Sequence, residues 1–441
     1  MAKKRRDEEP FEDGGELIST GRKKKRREKA ARAEKNEARS ARDPRGGKVR
    51  IDLDEQERAY NKYYLAVANR YRYARYAAFI VLVAFLLTIL IFYRGSITYS
   101  NLMYLIRDLD SDTEVSVGVY SDVTYDEVHS PRFAMFRSRI ALASQNGLRL
   151  YSSAGGSDLS DDTRFFTPQL ETGEKYALVY DAGSTGYCLY TTVSRVFSGK
   201  TDENIEDGCV ADDGSFALMT RSDDAKFVIT VYGSDFKART KYYKDKYVMD
   251  IALCPDGSEL CALSADVSAG GASCEIMLGS VGTEDSKTVS VDGLMPICAR
   301  YCGDGTLIVI CDGAVLGISN GEIQWKKDFS GAAPMSFDIN GGLVSLCCTR
   351  NAVGSENEVF VFDTAGNILY NDVVNGKISF FVTDGVGTAY AVGEDSAEKT
   401  VLSDGTKSDC AVKASPIAAL CPPGNLILCY ADGTVSYFTG E

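Results

Sequence analysis

Two different patterns of apolar residues divide this chain. The first is an uncharged stretch at 76–93, between Arg75 and Arg94, in which Thr88 is the only polar break. At about 1.5 Å per residue, a helix of this length spans about 27 Å, close to the roughly 30 Å hydrocarbon core of a bilayer. Tyrosines crowd both ends, as aromatic residues do at membrane interfaces. The pattern predicts one transmembrane helix, anchored in the lipid bilayer, whose end residues are Tyr76, Ala77, Phe92 and Tyr93.

The segments on either side of this stretch also have helical character. Asp52 and Glu55 are spaced as in a capping box, and tyrosines recur at helical spacing between them and the membrane stretch. We therefore expect a juxtamembrane amphipathic helix at 52–75 that continues into the membrane. Residues 94–113 contain a second, shorter helical pattern, which predicts a stalk.

The second pattern begins at residue 114 and consists of short apolar runs separated by glycine-containing turns. Seven turn glycines recur at intervals of 41, 43, 48, 37, 43 and 39 residues, namely Gly173, Gly214, Gly257, Gly305, Gly342, Gly385 and Gly424. A strand-like run, a second turn and a second strand follow each of them, and residues 140–151 form an earlier unit whose turn lacks the glycine. A period of about 42 residues is typical of propeller blades. The pattern predicts an all-β propeller over 114–441 with eight blades, or seven if the first unit is irregular.

The two ends of the repeat region predict how the ring closes. The last unit ends after its third strand, and residues 114–120 have strand character but no blade of their own. An open ring would leave an edge of unpaired backbone groups. We therefore expect 114–120 to complete the last blade.

The charge changes sign along the chain. Residues 1–75 contain 23 Lys and Arg against 14 Asp and Glu, whereas the remainder contains 26 against 48. Basic residues concentrate on the cytoplasmic side of membrane helices, so we expect the tail inside and the propeller outside the cytoplasm. A cleaved signal peptide would need a leader of some seventy residues, and no small-residue cleavage site follows, which favours an uncleaved signal anchor.

The N-terminal residues 1–50 are poor in apolar side chains and are predicted to be a disordered cytoplasmic tail. Their basic runs, at 3–6 and 22–27, suit either a solvated tail that only sets orientation or one that also holds anionic lipid headgroups. A nucleic-acid role conflicts with the neighbouring membrane anchor, and none is expected.

Two segments carry a resemblance to known propellers. Residues 321–325 (Gly-Glu-Ile-Gln-Trp) and 366–370 (Gly-Asn-Ile-Leu-Tyr) resemble the glycine-to-aromatic end of quinoprotein-like and WD-repeat-like blades. The whole layout, and the segment 177–187 above all, resembles a family of membrane-anchored bacterial propellers of unknown function. This resemblance implies a fold and a location but no activity. Because the chain has one Trp, whereas quinone-dependent enzymes dock their blades with several, it implies no quinone, and we expect no cofactor.

Few residues of this sequence indicate catalysis. His129 is the only histidine, which excludes histidine triads and multi-histidine metal sites. The thirteen cysteines recur at similar offsets from the turn glycines of different blades, so we expect them to be free, buried strand residues rather than disulfide partners. Their spacing supplies no convincing zinc set. Acidic pairs such as Asp161 and Asp162 lie in turn-like stretches, where solvated carboxylates are the usual outcome.

The sequence therefore predicts a single-pass protein whose propeller is a non-enzymatic binding or scaffold module in the cell envelope. Its partner, an envelope protein or glycan, is not identified by the sequence. Two alternatives stay open at this point. One is an enzyme that acts on envelope glycan or peptide through carboxylates in the central channel, and the other is a sensor that couples an external ligand to the basic tail. Clustered carboxylates at a channel mouth favour the enzyme, whereas an exposed apolar rim favours the scaffold.

Overall fold

The computed structural model describes residues 50–92, 124–125, 131–152, 155–268, 271–283, 285–329, 333–351 and 353–439. The chain separates into two compact units, Met1–Leu102 and Met103–Glu441. The described part of the first unit is a single helix, α1 (Arg50–Phe92), and the described part of the second is almost entirely β-strand.

Helix α1 joins the predicted juxtamembrane segment and most of the predicted membrane segment without interruption, and it begins at Arg50 rather than at Asp52. Thr88 Oγ1 donates to the carbonyl of Ala84 at 2.9 Å, so this hydroxyl is satisfied within the helix. Among the described residues, no helix has both the length and the hydropathy that a bilayer crossing requires. The predicted membrane segment falls partly outside them, because Tyr93 and the side chains at 86 and 89–92 are not described. The tail at 1–49, the stalk at 94–113, residues 114–120 and His129 also lie outside the described residues.

The second unit contains eight antiparallel sheets, which confirms the prediction of an all-β propeller with eight blades. Blade 1 consists of β1 (Arg132–Phe136), β2 (Arg139–Ser144), β3 (Gly147–Tyr151) and β4 (Ser157–Asp161). Blade 2 consists of β5 (Pro168–Thr172), β6 (Ala177–Asp181), β7 (Gly186–Tyr190) and β8 (Arg195–Lys200). Blade 3 consists of β9 (Ile205–Val210), β10 (Phe216–Arg221), β11 (Phe227–Tyr232) and β12 (Ala238–Lys244). Blade 4 consists of β13 (Tyr247–Leu253), β14 (Glu259–Ser268), β15 (Gly271–Ser280) and β16 (Ser286–Asp292).

The remaining four blades follow in the same order along the chain. Blade 5 consists of β17 (Pro296–Tyr301), β18 (Leu307–Cys311), β19 (Ala314–Ser319) and β20 (Glu322–Asp328). Blade 6 consists of β21 (Ala333–Asn340), β22 (Leu343–Thr349), β23 (Glu356–Asp363) and β24 (Ile368–Asn375). Blade 7 consists of β25 (Phe380–Thr383), β26 (Thr388–Val392), β27 (Ser396–Val401) and β28 (Lys407–Ala411). Blade 8 consists of β29 (Pro416–Leu420), β30 (Asn425–Tyr430) and β31 (Val435–Thr439). Within every blade, strands that are consecutive in sequence pair with each other.

The burial of each strand follows from its position in the blade. The second strands β6, β18 and β30 are buried at every residue, because a neighbouring blade packs against each of their two faces. They accordingly read as continuous apolar runs rather than as alternating ones. The outermost strands β16, β20 and β28 are exposed at most positions. This gradient places the core between the blades, not within them.

Eight buried clusters account for the core of the described ring, and each draws its side chains from two neighbouring blades. The cluster that joins blade 8 to blade 1 contains Ile427 and Cys429 from one side and Ile140 and Leu142 from the other. The ring of packed junctions is therefore continuous. No blade can bury its apolar faces alone, so the blades stabilise one another.

Blade 8 has three strands among the described residues, and chain from the other end of the domain lies against it. Thr124 forms an antiparallel bridge with Thr434, and the amide of Tyr125 donates to the carbonyl of Gly433 at 2.8 Å. The Tyr125 hydroxyl donates to the carbonyl of Tyr430, and its ring packs edge-on against Phe133 of blade 1. The segment just before blade 1 thus fastens blade 8. Closure by 114–120 itself stays a prediction.

All seven predicted turn glycines lie between the first and second strands of a blade. Six have positive φ angles between 69° and 89°, a region that L-residues with a Cβ rarely adopt. Gly173 differs, because a Cβ there would lie 2.7 Å from the carbonyl oxygen of Ala211 in blade 3. Close approach of the backbone explains that glycine instead. In the corresponding turn of blade 1, Arg137 takes a φ of 55°.

The segments that carry the resemblance to other propellers dock one blade on the next. Trp325 of β20 donates its Nε1–H to the carbonyl of Thr364 in blade 6 at 2.8 Å. A Cβ on Gly366 would lie 2.6 Å from the indole, so glycine makes room for the ring. Tyr242 of β12 makes the same kind of contact, because its hydroxyl donates to the carbonyl of Ser280 in blade 4 at 2.8 Å. Outer-strand aromatics thus extend the junctions beyond the apolar core.

Candidate functional site

The first strand of each blade is the inner one, because first strands of neighbouring blades contact each other. Two side-chain bonds show that such strands run in the same direction. Ser336 Oγ accepts the amide of Phe381 at 2.9 Å, and Asp338 Oδ2 accepts the amide of Thr383 at 3.4 Å. Both partners advance by two residues, so β21 and β25 are parallel. The inner strands therefore all begin at one end of the ring, which is referred to below as the top face, and the opposite end is the bottom face.

Four inner strands carry a one-residue bulge close to their start. Pairing with the second strand skips one residue in each of β13, β17, β21 and β29, and the skipped residues are Met249, Ile297, Met335 and Ile417. A bulged residue leaves the ladder, and its side chain is directed away from its normal place in the sheet. All four are large and apolar, yet they are between 36% and 49% exposed. These four residues are referred to as the apolar rim.

The bulges lie at the same height in neighbouring blades. A fifth bulge, in β9, skips Glu206. The next residue, Asp207, accepts the amide of Ile251 through Oδ2 at 3.2 Å, and Ile251 lies two residues beyond the bulge of β13. In the same way Asp250 accepts the amide of Ala299 at 2.8 Å, two residues beyond the bulge of β17. Because the same bond recurs at successive junctions, blades 3, 4 and 5 present their bulged residues side by side.

Further apolar side chains are exposed at the same end of the ring. They lie just before or at the start of an inner strand, or at the turn between second and third strands, and they are Phe166, Tyr247, Val267 and Val353. Val386, in the first turn of blade 7, is an exposed apolar residue of the bottom face. Apolar side chains exposed together at one end of a domain are typical of contact surfaces.

Beside the rim, carboxylates from three blades surround one guanidinium. Arg300 Nη1 donates to Asp250 Oδ2 at 2.9 Å and to the carbonyl of Ala299 at 2.8 Å, and its Nη2 lies 3.7 Å from Glu171 Oε1. Burial raises the pKa of Glu171, and the positive charge of Arg300 only partly offsets this. One cation thus serves two carboxylates in a confined space.

Asp207 belongs to the same group. Its Oδ1 accepts the hydroxyl of Tyr180 at 3.0 Å and the amide of Gly208 at 2.8 Å. Burial first, and then the negative charge of Asp250, raise the pKa of Asp207 to about 7. Burial first, and then the negative charge of Asp207, raise the pKa of Tyr180. The group is therefore short of positive charge near neutral pH.

Two cavities open beside these residues. The larger, of about 390 Å³, is lined by Glu171, Glu206, Asp207 and Asp250 together with Tyr180 and the rim residue Met249. The smaller, of about 200 Å³, is lined by Glu171, Cys209 and Asp212 on one side and by Arg300 and Tyr301 on the other. The larger lies in the size range of ligand-binding pockets. It combines an acidic interior with an apolar edge.

Two carboxylates of this group hold neighbouring inner strands together. Asp207 and Asp250 each accept the amide of the next inner strand, whose edge faces no other strand. Such amides cost free energy when they are left unpaired. Within the described ranges, no three His, Cys, Asp or Glu side chains are arranged to hold a metal ion. The arrangement suits recognition of a positive charge better than metal-assisted chemistry.

All thirteen cysteines are unpaired in this structure, eleven of them buried and two, Cys254 and Cys410, half-buried. Burial raises the pKa of Cys254 to about 11 and raises that of Cys410 as well, so even the more accessible thiols stay protonated at neutral pH. They act as small apolar strand residues.

Sequence analysis missed both the apolar rim and the acidic group. It weighed acidic pairs in turns, and Asp161 proves to be the last residue of β4, where it pairs with Arg195 at 3.2 Å. A signal for the acidic group does exist, because Asp207 and Asp250 each precede the turn glycine of their own blade by seven residues. A signal for the rim is a proline directly before Ile297 and Ile417.

These features define the chain as an eight-bladed β-propeller protein with an apolar and acidic top face. It belongs to the family of unknown function DUF5711, whose model matches residues 113–392, more than half of the chain. No protein with a curated description matches it.

Several solved structures resemble this fold at low sequence identity. BamB from Moraxella catarrhalis superposes with a TM-score of 0.50 at 12% identity, covering 72% of this chain and 98% of that one. The propeller domain of Cps50 (Swd1) from Myceliophteria thermophila gives 0.44 at 11% identity, covering 66% and 98%. A eukaryotic initiation factor gives 0.46 at 11%, covering 72% and 90%. At these identities the likeness shows the fold alone.

Proposed function

We propose that this protein is a single-pass membrane protein whose propeller lies outside the cytoplasm and serves as a non-enzymatic binding or scaffold module of the cell envelope. The observation that carries the binding role is the apolar rim. Each of four inner-strand bulges leaves a Met or Ile side chain between 36% and 49% exposed near the top face. Exposing such residues costs free energy in an isolated domain, and a contact surface compensates for it.

Photo-crosslinking in living cells tests the binding role. A benzophenone amino acid placed at Met335 should form adducts with a partner, whereas the same group at Val386 on the bottom face should not. Both positions are exposed, at 47% and 71%, so the control position is the more accessible of the two. Absence of adducts from every position of the rim would contradict the proposal.

An enzyme that acts on envelope glycan or peptide is the second candidate, because one observation favours it. Glu171 and Asp207 have raised pKa values and border the larger cavity, as acid–base catalysts often do. Release of reducing ends or free amines from purified cell-wall material, lost in Glu171→Gln, would establish it. The bonds from Asp207 and Asp250 to neighbouring strands favour the structural role.

The topology part of the proposal rests on the charge division and the apolar stretch at 76–93. A protease added to intact spheroplasts should degrade the propeller and spare the tail. Protection of the propeller would reverse the assignment.

The tail part of the proposal is that the runs at 3–6 and 22–27 hold anionic lipid headgroups. The full chain should bind anionic vesicles through its tail, and this binding should weaken as salt is added. Replacing the basic residues at 22–27 with acidic ones should also weaken it. A role as a transmembrane sensor would require that this tail respond to occupation of the propeller, which the same vesicle assay can follow.

A further inference from the structure

Beyond a general binding role, the top face has properties that specify its partner. Three of its four apolar rim residues, Met249, Ile297 and Met335, come from the neighbouring blades 4, 5 and 6, and Glu206 occupies the equivalent bulge in blade 3. The rim thus changes from apolar to acidic at the junction of blades 3 and 4. A ligand that follows the arc meets both kinds of side chain in succession.

The cavity below this junction is deficient in positive charge. Four carboxylates line it, from Glu171, Glu206, Asp207 and Asp250. Two guanidiniums face them, since Arg300 contacts Asp250 and Glu171, and Arg221 Nε donates to Glu206 Oε1 at 2.5 Å. The raised pKa values of Glu171 and Asp207 are the expected consequence of this imbalance together with burial. A further cation would relieve it.

The space and the wider charge agree with this requirement. A volume of about 390 Å³ is ample for one long side chain. Residues 76–441 contain 26 basic against 48 acidic residues, so the domain as a whole attracts cationic partners. Exposed Met and Ile side chains are suited to other aliphatic side chains rather than to sugars or to an anionic bilayer, and Met adapts to varied shapes.

We infer that the top face of blades 3 to 6 binds a polypeptide segment of another protein in which a Lys or Arg side chain, flanked by aliphatic residues, enters the cavity beside Glu206 while the flanking residues cover the apolar rim. This inference rests on the proposed binding function and narrows it to one class of ligand. Recognition combines an apolar anchor with a partly buried ion pair.

Selection from a displayed library of random dodecapeptides on the purified full chain provides the test. Selected peptides should contain Lys or Arg between aliphatic residues, and the affinity of a fluorescent copy can be followed by anisotropy. Ile297→Asp and Met335→Asp should each weaken binding about tenfold or more, as loss of an apolar anchor does, whereas Val386→Asp should not. Both rim residues are exposed, so these variants are expected to fold.

The charge requirement has its own pair of variants. The Glu206→Gln protein should bind the selected peptide more weakly than wild type does, but it should bind a peptide whose Lys is replaced by Gln as well as wild type does. The Glu206→Lys protein should instead prefer a peptide in which Glu replaces that Lys. Glu206 accepts its bond from an exposed arginine and not from the backbone, so this change spares the bonds from Asp207 and Asp250 to the neighbouring inner strands.

Three results would each overturn the inference: no peptide is enriched, the enriched peptides lack Lys and Arg, or Met335→Asp leaves the binding unchanged. These outcomes are distinguishable from failure of the binding function. Adducts in cells from Met335, together with selected peptides that lack a cation, would leave the binding role standing and remove only the proposed ligand class. No adducts in cells and no enriched peptides would remove both.

Discussion

Replacing Arg300 with methionine tests whether one guanidinium holds the inner strands of blades 2, 4 and 5 together. Arg300 bonds Asp250 at 2.9 Å and lies 3.7 Å from Glu171. Methionine keeps much of the apolar stem of the side chain but carries no charge. The substitution therefore leaves two carboxylates beside the cavity without their common cation, and we expect the free energy of unfolding to fall.

The magnitude follows from the burial of the three groups. Breaking a fully buried ion pair by removing one partner costs about 3–5 kcal/mol, whereas an exposed pair contributes about 0–1 kcal/mol. The Asp250 side chain is 12% exposed, but that of Arg300 is 42% exposed, so solvent screens part of the interaction. We expect a loss of about 2–3 kcal/mol at neutral pH, between the two limits.

The loss should depend on pH in a defined direction. The pKa of Glu171 is raised in the folded protein, so its ionisation opposes folding as the pH rises from about 4 towards its folded pKa. Without Arg300, which lowers this pKa, the opposition extends to higher pH. The difference in stability between wild type and Arg300→Met should therefore be smaller near pH 4.5 than near pH 7.5.

Denaturant unfolding of the purified full chain measures the effect, and the single tryptophan, Trp325, reports it from the junction of blades 5 and 6. Arg239→Met is the matched control, because Arg239 pairs with Asp235 at 3.1 Å with both side chains exposed. Adding Asp250→Asn to Arg300→Met should restore part of the loss. A loss no larger than that of the control, or one equal at both pH values, would refute the assignment.

Four other predictions address the rest of the fold. Tyr125→Ala should lower the free energy of unfolding by about 3–5 kcal/mol and Tyr125→Phe by about 1 kcal/mol, because only the first leaves a cavity at the junction of blades 8 and 1. Equal melting temperatures for the two variants would mean that closure of the propeller does not depend on the Tyr125 side chain. Trp325→Ala should lower the free energy of unfolding by about 3–5 kcal/mol, and Gly366→Ala should also lower it. Thermal unfolding followed by circular dichroism measures both, and an unchanged melting temperature of either variant would contradict the role of Trp325 in docking blade 5 on blade 6. Burial raises the pKa of Asp338 to about 6, so its ionisation should lower wild-type stability as the pH rises from about 4 to 6, and Asp338→Asn should remove that contribution; a pH-independent difference between the two would argue against it. Finally, iodoacetamide without reductant should label all thirteen thiols after denaturation and few before it, whereas mass spectrometry that finds bridged pairs would disprove the free-thiol assignment.

The sequence by itself determined the architecture of the described ring. The recurrence of a turn glycine and the continuous apolar second strands, such as Leu307–Cys311, are local features that any blade needs, so they are visible without knowledge of neighbours. They predicted eight blades, and the eight inter-blade clusters confirm that number. The membrane segment at 76–93 and the tail are read from the same kind of local pattern, and they stay predictions because the described residues do not test them.

Tertiary structure alone decided the top face. Glu171, Asp207, Asp250 and Arg300 come from four different blades, and their proximity depends on how far each blade is rotated against the next. The bulges that expose Met249 and Met335 depend on a one-residue shift between paired strands, which is set by packing across a junction and not by local preference. Local propensity fixes which residues form strands, but the contacts that create a surface are made between residues distant in the chain, and their energies have no signature in nearest-neighbour sequence.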